Sequence, residues 1–290
     1  MRQSLDAYLL RWLEQSSMWS HPWKAWAKHT MLGAGKALRP SLIFDFYLAS
    51  SRNLAERPPE SVLHLALGAE FFHTFTLIHD DLPCMDDDDF RRGRPTLHRL
   101  ESESTAVLMG DALHAATTEI FATSALPVEQ RLWILQNFSR RMGAAGLFEG
   151  QRLDIEGAAQ SLDDLIKIHS LKTGELFSFC CEMGVLAGAG MNSELLAAAA
   201  TWGQTYGLLF QVADDLMDAS STLTSMGKTP GKDSRLGRKT ILDFMRGPEL
   251  RRFCDFKFSD LSRISSRFGR PEILQARFQV LQKSIIEMCK

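Results

Sequence analysis

The sequence is poor in cysteine, carries little net charge and contains no sustained heptad or internal repeat. A formal net charge of −2 on 290 residues gives no indication of a nucleic-acid partner. The five cysteines are odd in number and lack zinc-binding spacing: Cys84, Cys180, Cys181, Cys254 and Cys289. A disulfide framework and a structural zinc site are therefore both unsupported, and we expect a reduced, cytoplasmic protein. Residues 1–6 also lack the apolar core of a signal peptide.

One uncharged run, residues 195–213, approaches the length of a membrane span. It contains the polar residues Gln204 and Gln211, however, and continues directly into Asp214. We therefore interpret it as a buried helix of a large bundle and expect no membrane insertion. Because no linker divides the chain, we expect a single domain over residues 1–290.

Aspartates, in contrast, are concentrated in two places. The first cluster has six aspartates within residues 80–89, at the end of an apolar helical segment. Asp80 and Asp86 are six residues apart, which on a regular helix would turn them to well-separated faces. Pro83 interrupts the helix between them, so we expect a bulge that brings Asp86 back beside Asp80. A solvated acidic surface is the ordinary explanation of such a block, but this block adjoins an apolar helix.

The second cluster lies at residues 210–218, again in an apolar and helical segment. Asp214 and Asp218 are four residues apart and share a helix face, with Gln211 about one turn earlier on the same side. Proteins typically hold Mg²⁺ with one or two carboxylates plus substrate phosphates. Two acidic faces that meet across a helix bundle would therefore form a site for several metal ions and a diphosphate.

Basic segments with phosphate-binding character accompany both clusters. Residues 33–40 combine two glycines, a lysine and an arginine before a predicted helix start, as anion sites often do. Arg91 and Arg92 follow the first aspartates, and the arginine fork binds phosphate oxygens bidentately. Residues 226–233 form a basic, glycine-containing segment that could close over phosphates.

Five motifs together resemble those of the trans-isoprenyl diphosphate synthases. They are the two aspartate clusters, Gly33–Pro40, Arg91-Arg92-Gly93 and Lys172-Thr173-Gly174. The resemblance covers residues 33–240 and points to the bacterial short-chain farnesyl diphosphate synthases, whose first motif has the same two-residue insert. It implies an all-α fold of the isoprenoid synthase type, with a central active-site cavity between the helices of a large bundle, and a homodimer.

By this resemblance, the protein joins isopentenyl diphosphate to dimethylallyl and geranyl diphosphate after Mg²⁺-assisted ionisation of the allylic substrate. Three Mg²⁺ ions per active site are implied, with Mn²⁺ able to substitute. The implied metal ligands are Asp80, Asp86, Asp214 and Asp218. The implied contacts of isopentenyl diphosphate are Lys36, Arg39, His73 and Arg92. The implied contacts of the allylic diphosphate are Arg91, Lys172 and Lys228, with Thr173 and Gln211 beside the allylic cation.

The chain departs from the family's pattern at two positions. Ala37 stands where an arginine is usual, which either weakens diphosphate binding or removes a peripheral charge. A second family lysine falls at Arg238, with Lys239 next to it, and either residue can take that role. Residues 150–154 resemble the family's Gly-Gln-x-x-Asp segment, for which we expect a structural or supporting role. Gly174 lies within a predicted helix, and we expect it to weaken that helix locally.

Product length is expected to depend on residues upstream of Asp80. Phe75 and Thr76, five and four residues before it, can line the cavity that receives the growing chain. In the resembling family an aromatic residue at the former position accompanies a fifteen-carbon product. We therefore expect farnesyl diphosphate, with geranyl or geranylgeranyl diphosphate as alternatives. Phe75 could also be an ordinary core residue of a phenylalanine-rich helix.

Two other functions fit parts of the sequence. A terpene cyclase ionises the same kind of substrate with a similar aspartate motif, but it needs no isopentenyl diphosphate site. A non-catalytic partner subunit of a prenyl synthase is favoured only by Ala37 and by the displaced lysine near Lys239. The two complete aspartate clusters argue against it. Beyond residue 244 the sequence indicates amphipathic helices only.

Overall fold

A computed structural model describes residues 1–17, 19–33, 35–52, 57–220 and 238–288. These residues are almost entirely helical, and the predicted all-α fold is confirmed. The helices are α1 (Arg2–Gln15), α2 (His21–Met31), α3 (Leu38–Ser50), α4 (Glu60–Asp80), α5 (Leu97–Leu100), α6 (Glu103–Ala122), α7 (Val128–Met142), α8 (Leu147–Ile155), α9 (Leu162–His169), α10 (Glu175–Ala189), α11 (Ser193–Ser220), α12 (Gly247–Ser265) and α13 (Pro271–Met288).

Four short elements complete the described structure. A π-helical turn, Ser170–Gly174, joins α9 to α10, and a 3₁₀ turn, Ile241–Asp243, precedes α12. Strands β1 (Phe90–Arg91) and β2 (Arg94–Pro95) form an antiparallel hairpin between α4 and α5.

Local sequence signals account for several helix ends. Ser161 caps α9 through a capping box with Asp164. The Ser102 hydroxyl accepts a hydrogen bond from the Thr105 N–H at the start of α6. Gly190 ends α10 with a φ of +69°, a conformation that glycine adopts without steric cost.

The described residues form two compact units, and each is considered separately. The first unit contains residues from 1–44 and 57–135, and the second contains residues from 45–52, 136–220 and 238–288. Helices α3 and α7 contribute residues to both units. The single domain expected over residues 1–290 stays a prediction.

Helix α4 forms the core of the first unit. The fully buried Phe71 ring lies 5.2 Å from the Trp12 ring and 5.9 Å from the Trp19 ring, centroid to centroid. Helix α6 approaches α4 at a glycine, since a Cβ at Gly68 would lie 2.5 Å from the Phe121 ring. Among the described residues, α4 alone has the length and mean hydropathy of a membrane span. However, 72% of that window is buried inside the protein, as in a core helix.

The second unit is built on close contact between α10, the π turn and α11. A Cβ at Gly207 of α11 would lie 3.0 Å from the Cα of Gly174. The buried Trp202 ring stacks on Tyr206 at 4.9 Å, and its Nε1–H donates to Ser265 Oγ at 3.1 Å. Burial raises the pKa of Tyr206 to about 12. The uncharged run within α11 therefore packs as a buried helix, as its polar residues indicated.

Candidate active site

The first aspartate cluster follows the end of α4 and forms the expected bulge. Helix α4 ends at Asp80, and the chain then turns back so that the Asp86 N–H donates to the Asp80 carbonyl at 2.8 Å. The Asp88 N–H donates to the Asp81 carbonyl at 3.2 Å. Pro83 lies at the exposed part of this loop. The insert thus brings the backbones of Asp80 and Asp86 together, although the two residues are far apart on a helical wheel.

Arg91 connects this loop to the hairpin. Its Nε donates to Asp81 at 2.5 Å and its Nη2 to Asp88 at 3.1 Å, and both carboxylates are buried. Burial raises the pKa of Asp81 to about 7, although the neighbouring guanidinium acts in the opposite direction. Arg91 therefore has a structural role in the loop. The spacing of the aspartates contained no signal for which of them would pair with it.

The basic segment before α3 lies against the hairpin through Arg92. Gly33 and Gly35 have φ values of +65° and +71°, the left-handed region that favours glycine. A Cβ at Gly35 would lie 2.7 Å from Arg92 Cζ, so the guanidinium sits directly over this glycine. Arg39 Nη1 donates to His73 Nε2 at 3.0 Å. All four residues predicted to bind isopentenyl diphosphate belong to the first unit, and the structure pairs two of them.

Three residues other than glycine adopt left-handed backbone conformations in these same segments. They are Ala37 at φ +46°, Asp87 at φ +51° and Arg92 at φ +54°. Each costs roughly 1–2 kcal/mol relative to an ordinary conformation. Ala37 is only 4% exposed, so its methyl group occupies a buried position where an arginine would need a different path.

Phe75 belongs to a cluster of rings between α4 and α6. Its ring centroid lies 5.3 Å from Phe72, 4.8 Å from His79 and 5.1 Å from His114. The neighbouring Thr76 donates its hydroxyl to the His73 carbonyl at 2.9 Å. His114 was not identified from the sequence, where the only available signal is a histidine within an apolar helical segment. The ring cluster around Phe75 therefore includes a residue of α6.

In the second unit, Lys172 is held by the Gly-Gln-x-x-Asp segment. Lys172 Nζ donates to Asp154 Oδ2 at 2.6 Å, and Arg238 Nε lies 3.5 Å from the same oxygen. A Cβ at Gly150 would overlap the Lys172 backbone nitrogen, so α8 passes very close to the π turn. Lys239 instead lies 3.6 Å from Asp243. The two candidates for the second family lysine thus have different surroundings, and Arg238 shares a carboxylate with Lys172.

A chain of hydrogen bonds links the π turn to the second aspartate cluster. Thr173 Oγ1 donates to Gln211 Oε1 at 3.3 Å, and Gln211 Nε2 donates to Asp215 at 3.2 Å. The other Asp215 oxygen accepts the Ile241 N–H at 2.7 Å. Asp215 is buried, whereas Asp214 and Asp218 are partly exposed on α11. The supporting role of Asp215 was not apparent from the sequence.

Gly174, which the sequence predicts to weaken its helix locally, lies where a π turn interrupts the regular helix. Gly174 ends the π turn, and a Cβ there would overlap Gln204 Oε1 of α11. The glycine therefore permits close packing between the turn and α11.

The donor atoms of both clusters are carboxylate oxygens, which suit Mg²⁺. Among the described residues, no group of three or more His, Cys, Asp or Glu side chains is arranged to hold a metal ion. Mg²⁺ keeps several waters and takes substrate phosphates together with one or two carboxylates. The residues present therefore fit an ion that binds together with a diphosphate. Lys228, the remaining predicted phosphate contact, lies outside the described residues.

The helical fold, the two aspartate clusters and the cations beside them are those expected of the polyprenyl synthetase class. Residues 21–245 match the family model described as polyprenyl synthetase, and the chain belongs to that family.

Particular relatives carry several names. The chain is 36% identical over 235 residues to a dimethylallyltranstransferase of Fischerella ambigua, a match that covers 79% of this chain and 66% of that protein. It is 35% identical over 218 residues to an Arabidopsis thaliana protein named heterodimeric geranylgeranyl pyrophosphate synthase large subunit 2, covering 73% of this chain and 56% of that protein. The chain thus spans less than two thirds of the length of these two curated relatives.

A solved structure is similar over almost its full length. It is a geranyltransferase of Helicobacter pylori complexed with magnesium and isoprenyl diphosphate. The TM-score is 0.81 at 26% sequence identity, and the match covers 99% of this chain and 96% of that one.

Proposed function

We propose that the protein is a trans-prenyl diphosphate synthase that joins isopentenyl diphosphate to an allylic diphosphate. The supporting observation is that the first unit contains two chemically different sets of side chains. One set is the carboxylates of Asp80 and Asp86, whose backbones are hydrogen-bonded to each other and whose oxygens suit metal ions, and the other is the hydrogen-bond donors of Arg39, His73 and Arg92. A reaction in which only one of two diphosphates departs requires this difference.

Asp80, Asp86, Asp214 and Asp218 are the proposed ligands of Mg²⁺, with three ions per active site and Mn²⁺ able to replace them. Bound Mg²⁺ supplies charge neutralisation for the departing diphosphate. Arg91, Lys172 and Lys228 add positive charge at its oxygens, since preorganised charges stabilise the charge that develops in a transition state.

Thr173 and Gln211 stabilise the allylic cation with oxygen atoms. Asp215 accepts from the Gln211 amide nitrogen, so the Gln211 carbonyl oxygen is directed to Thr173. Thr173 donates its hydroxyl proton to Gln211 Oε1. The lone pairs of Thr173 Oγ1 therefore point away from this hydrogen bond. Both side chains are therefore oriented before substrate binds. The released diphosphate takes the proton that the condensation liberates, since no side chain of the motifs is an obvious base.

Lys36, Arg39, His73 and Arg92 hold isopentenyl diphosphate. In the Arg39–His73 contact the guanidinium must be the donor, so a neutral His73 carries its proton on Nδ1. The pair thereby presents only donor groups to an anion.

Farnesyl diphosphate is the proposed main product, because Phe75 and His114 together form a bulky wall on the α4 and α6 sides. Relatives named for dimethylallyl and geranylgeranyl chemistry leave geranyl and geranylgeranyl diphosphate as alternatives. The active form is proposed to be a cytoplasmic homodimer with one synthase domain per chain. Light scattering should give twice the chain mass of 32.6 kDa.

One assay separates the candidate functions. Purified protein is incubated with isopentenyl and dimethylallyl diphosphates and Mg²⁺, and dephosphorylated products are separated by chromatography. The proposed function predicts linear ten- and fifteen-carbon alcohols and consumption of both substrates. Consumption of the allylic substrate alone would indicate a cyclase, and no turnover would indicate a non-catalytic subunit.

A further inference from the structure

The π turn Ser170–Gly174 carries Lys172 and Thr173, two residues of the proposed site. It is closed by the Glu175 N–H, which donates to the Ser170 carbonyl. Such turns are rare, contain one residue more than an α-helical turn and occur frequently at functional sites. Return to regular α-helix would rotate the following side chains by about 100°. The orientation of Lys172 and Thr173 therefore depends on what holds the turn open.

Gln204 of α11 bridges the two ends of this turn. Its Oε1 accepts from Ser170 Oγ at 2.9 Å, and its Nε2 donates to Glu175 Oε1 at 3.1 Å. The side-chain amide thus spans the same two residues as the backbone closure. The two partners require opposite ends of the amide, because the Glu175 carboxylate is an acceptor only.

The bridge fits a space that a glycine provides. A Cβ at Gly174 would overlap Gln204 Oε1, so the amide occupies the position of the missing side chain. Glu175 is itself fixed by Arg141 Nε at 2.5 Å. Arg141 also pairs with the buried Glu182. The amide therefore contacts groups that are held from several sides.

We propose that Gln204 is a positioning residue that keeps the π turn open and so directs Lys172 and Thr173 toward the allylic diphosphate. This inference rests on the proposed function and assigns a role to a residue outside the aspartate, arginine and lysine motifs. Gln204 lies seven residues before Gln211 on the same face of α11. One helix face thus orients the turn at Ser170 through Gln204 and at Thr173 through Gln211.

The test compares Gln204→Ala with Thr201→Ala, a control one turn earlier on the exposed side of α11. Steady-state kinetics are measured for each substrate, with the thermal midpoint as a check of folding. Gln204→Ala should raise the KM for the allylic diphosphate and lower kcat, each by roughly tenfold, because small displacements of positioning groups are costly. The KM for isopentenyl diphosphate should stay within about twofold, and Thr201→Ala should resemble the parent.

Gly174→Ala tests the same bridge from the opposite side, since the new methyl group displaces the amide. It should reproduce the kinetic pattern of Gln204→Ala, and the double variant should be no worse than the poorer single one. The proposal would be overturned if the losses of the two single variants multiplied in the double variant. Equal changes in the KM values of both substrates would also overturn it. If Gln204→Ala fails to fold, Ser170→Ala removes only the hydrogen bond to Oε1, and an unchanged allylic KM in that variant would overturn it too. An inactive parent protein would instead refute the proposed function.

Discussion

Replacing Asp154 by asparagine removes the carboxylate that Lys172 and Arg238 share. The Lys172 Nζ lies 2.6 Å from Asp154 Oδ2 and the Arg238 Nε lies 3.5 Å from it, with the Lys172 side chain 27% exposed. A hydrogen bond between charged groups contributes roughly 1.5–3 kcal/mol. Because the pair is only partly exposed, we expect a loss of about 2 kcal/mol in the free energy of unfolding. That loss lowers the thermal midpoint by roughly 3 °C in a chain of 290 residues.

The same variant should impair binding of the allylic substrate. Lys172 is no longer fixed beside α8, so the KM for the allylic diphosphate should rise roughly tenfold, while the KM for isopentenyl diphosphate stays unchanged. Asp255→Asn is the matched control, because Asp255 pairs with Arg251 at an exposed position of α12 and exposed pairs contribute about 0–1 kcal/mol. If both variants had the same thermal midpoint and the same allylic KM, Asp154 would not position Lys172.

Four further predictions concern the metal ligands, the second substrate, the product and pH. Asp80→Ala should lower turnover at saturating Mg²⁺ by roughly a thousandfold, and a rate within tenfold of the parent would contradict its role as a ligand. Arg39→Ala should raise the KM for isopentenyl diphosphate, with a loss of roughly 1.5–3 kcal/mol; equal effects on both substrates would mean that the two sites are divided wrongly. Phe75→Ala should lengthen the product in chromatography, and unchanged chain lengths would show that Phe75 is not the wall. Burial lowers the pKa of His169 to about 4, so the unfolded chain takes up a proton near pH 6.5 before the folded protein does. His169 should therefore lower the free energy of unfolding by about 1.4 kcal/mol per pH unit as the pH falls from 6.5 to 4. Asp81 acts in the opposite direction over this range, so the measurement is the difference in slope between the parent and His169→Gln in pH-dependent denaturation.

The features that were predictable from the sequence are those determined by local chemistry. Apolar periodicity indicated the helices, and the proline between Asp80 and Asp86 indicated a bulge, because proline cannot continue a helix. The capping role of Ser161 follows from its position before α9 in the same way. Each of these depends on residues near one another in the chain.

The features that were missed depend on contacts between distant segments. No spacing indicates that Arg91 pairs with Asp81 and Asp88, or that Asp154 holds a lysine eighteen residues later. The π turn was also missed, because Lys172-Thr173-Gly174 has a sequence compatible with ordinary helix. Its geometry depends on Gln204, which lies in another helix.

The three left-handed residues other than glycine also matter for anyone who wishes to make this protein more robust. Substituting glycine at Ala37, Asp87 or Arg92 should relieve local backbone strain, and a screen for heat resistance would therefore select such changes. Glycine would remove a charge at two of the three positions, however, because Arg92 is itself a proposed contact of isopentenyl diphosphate and Asp87 follows the proposed metal ligand Asp86. Of the three, only Ala37→Gly would relieve strain without altering the charge. At the other two positions, a glycine selected for heat resistance would be expected to lower catalysis.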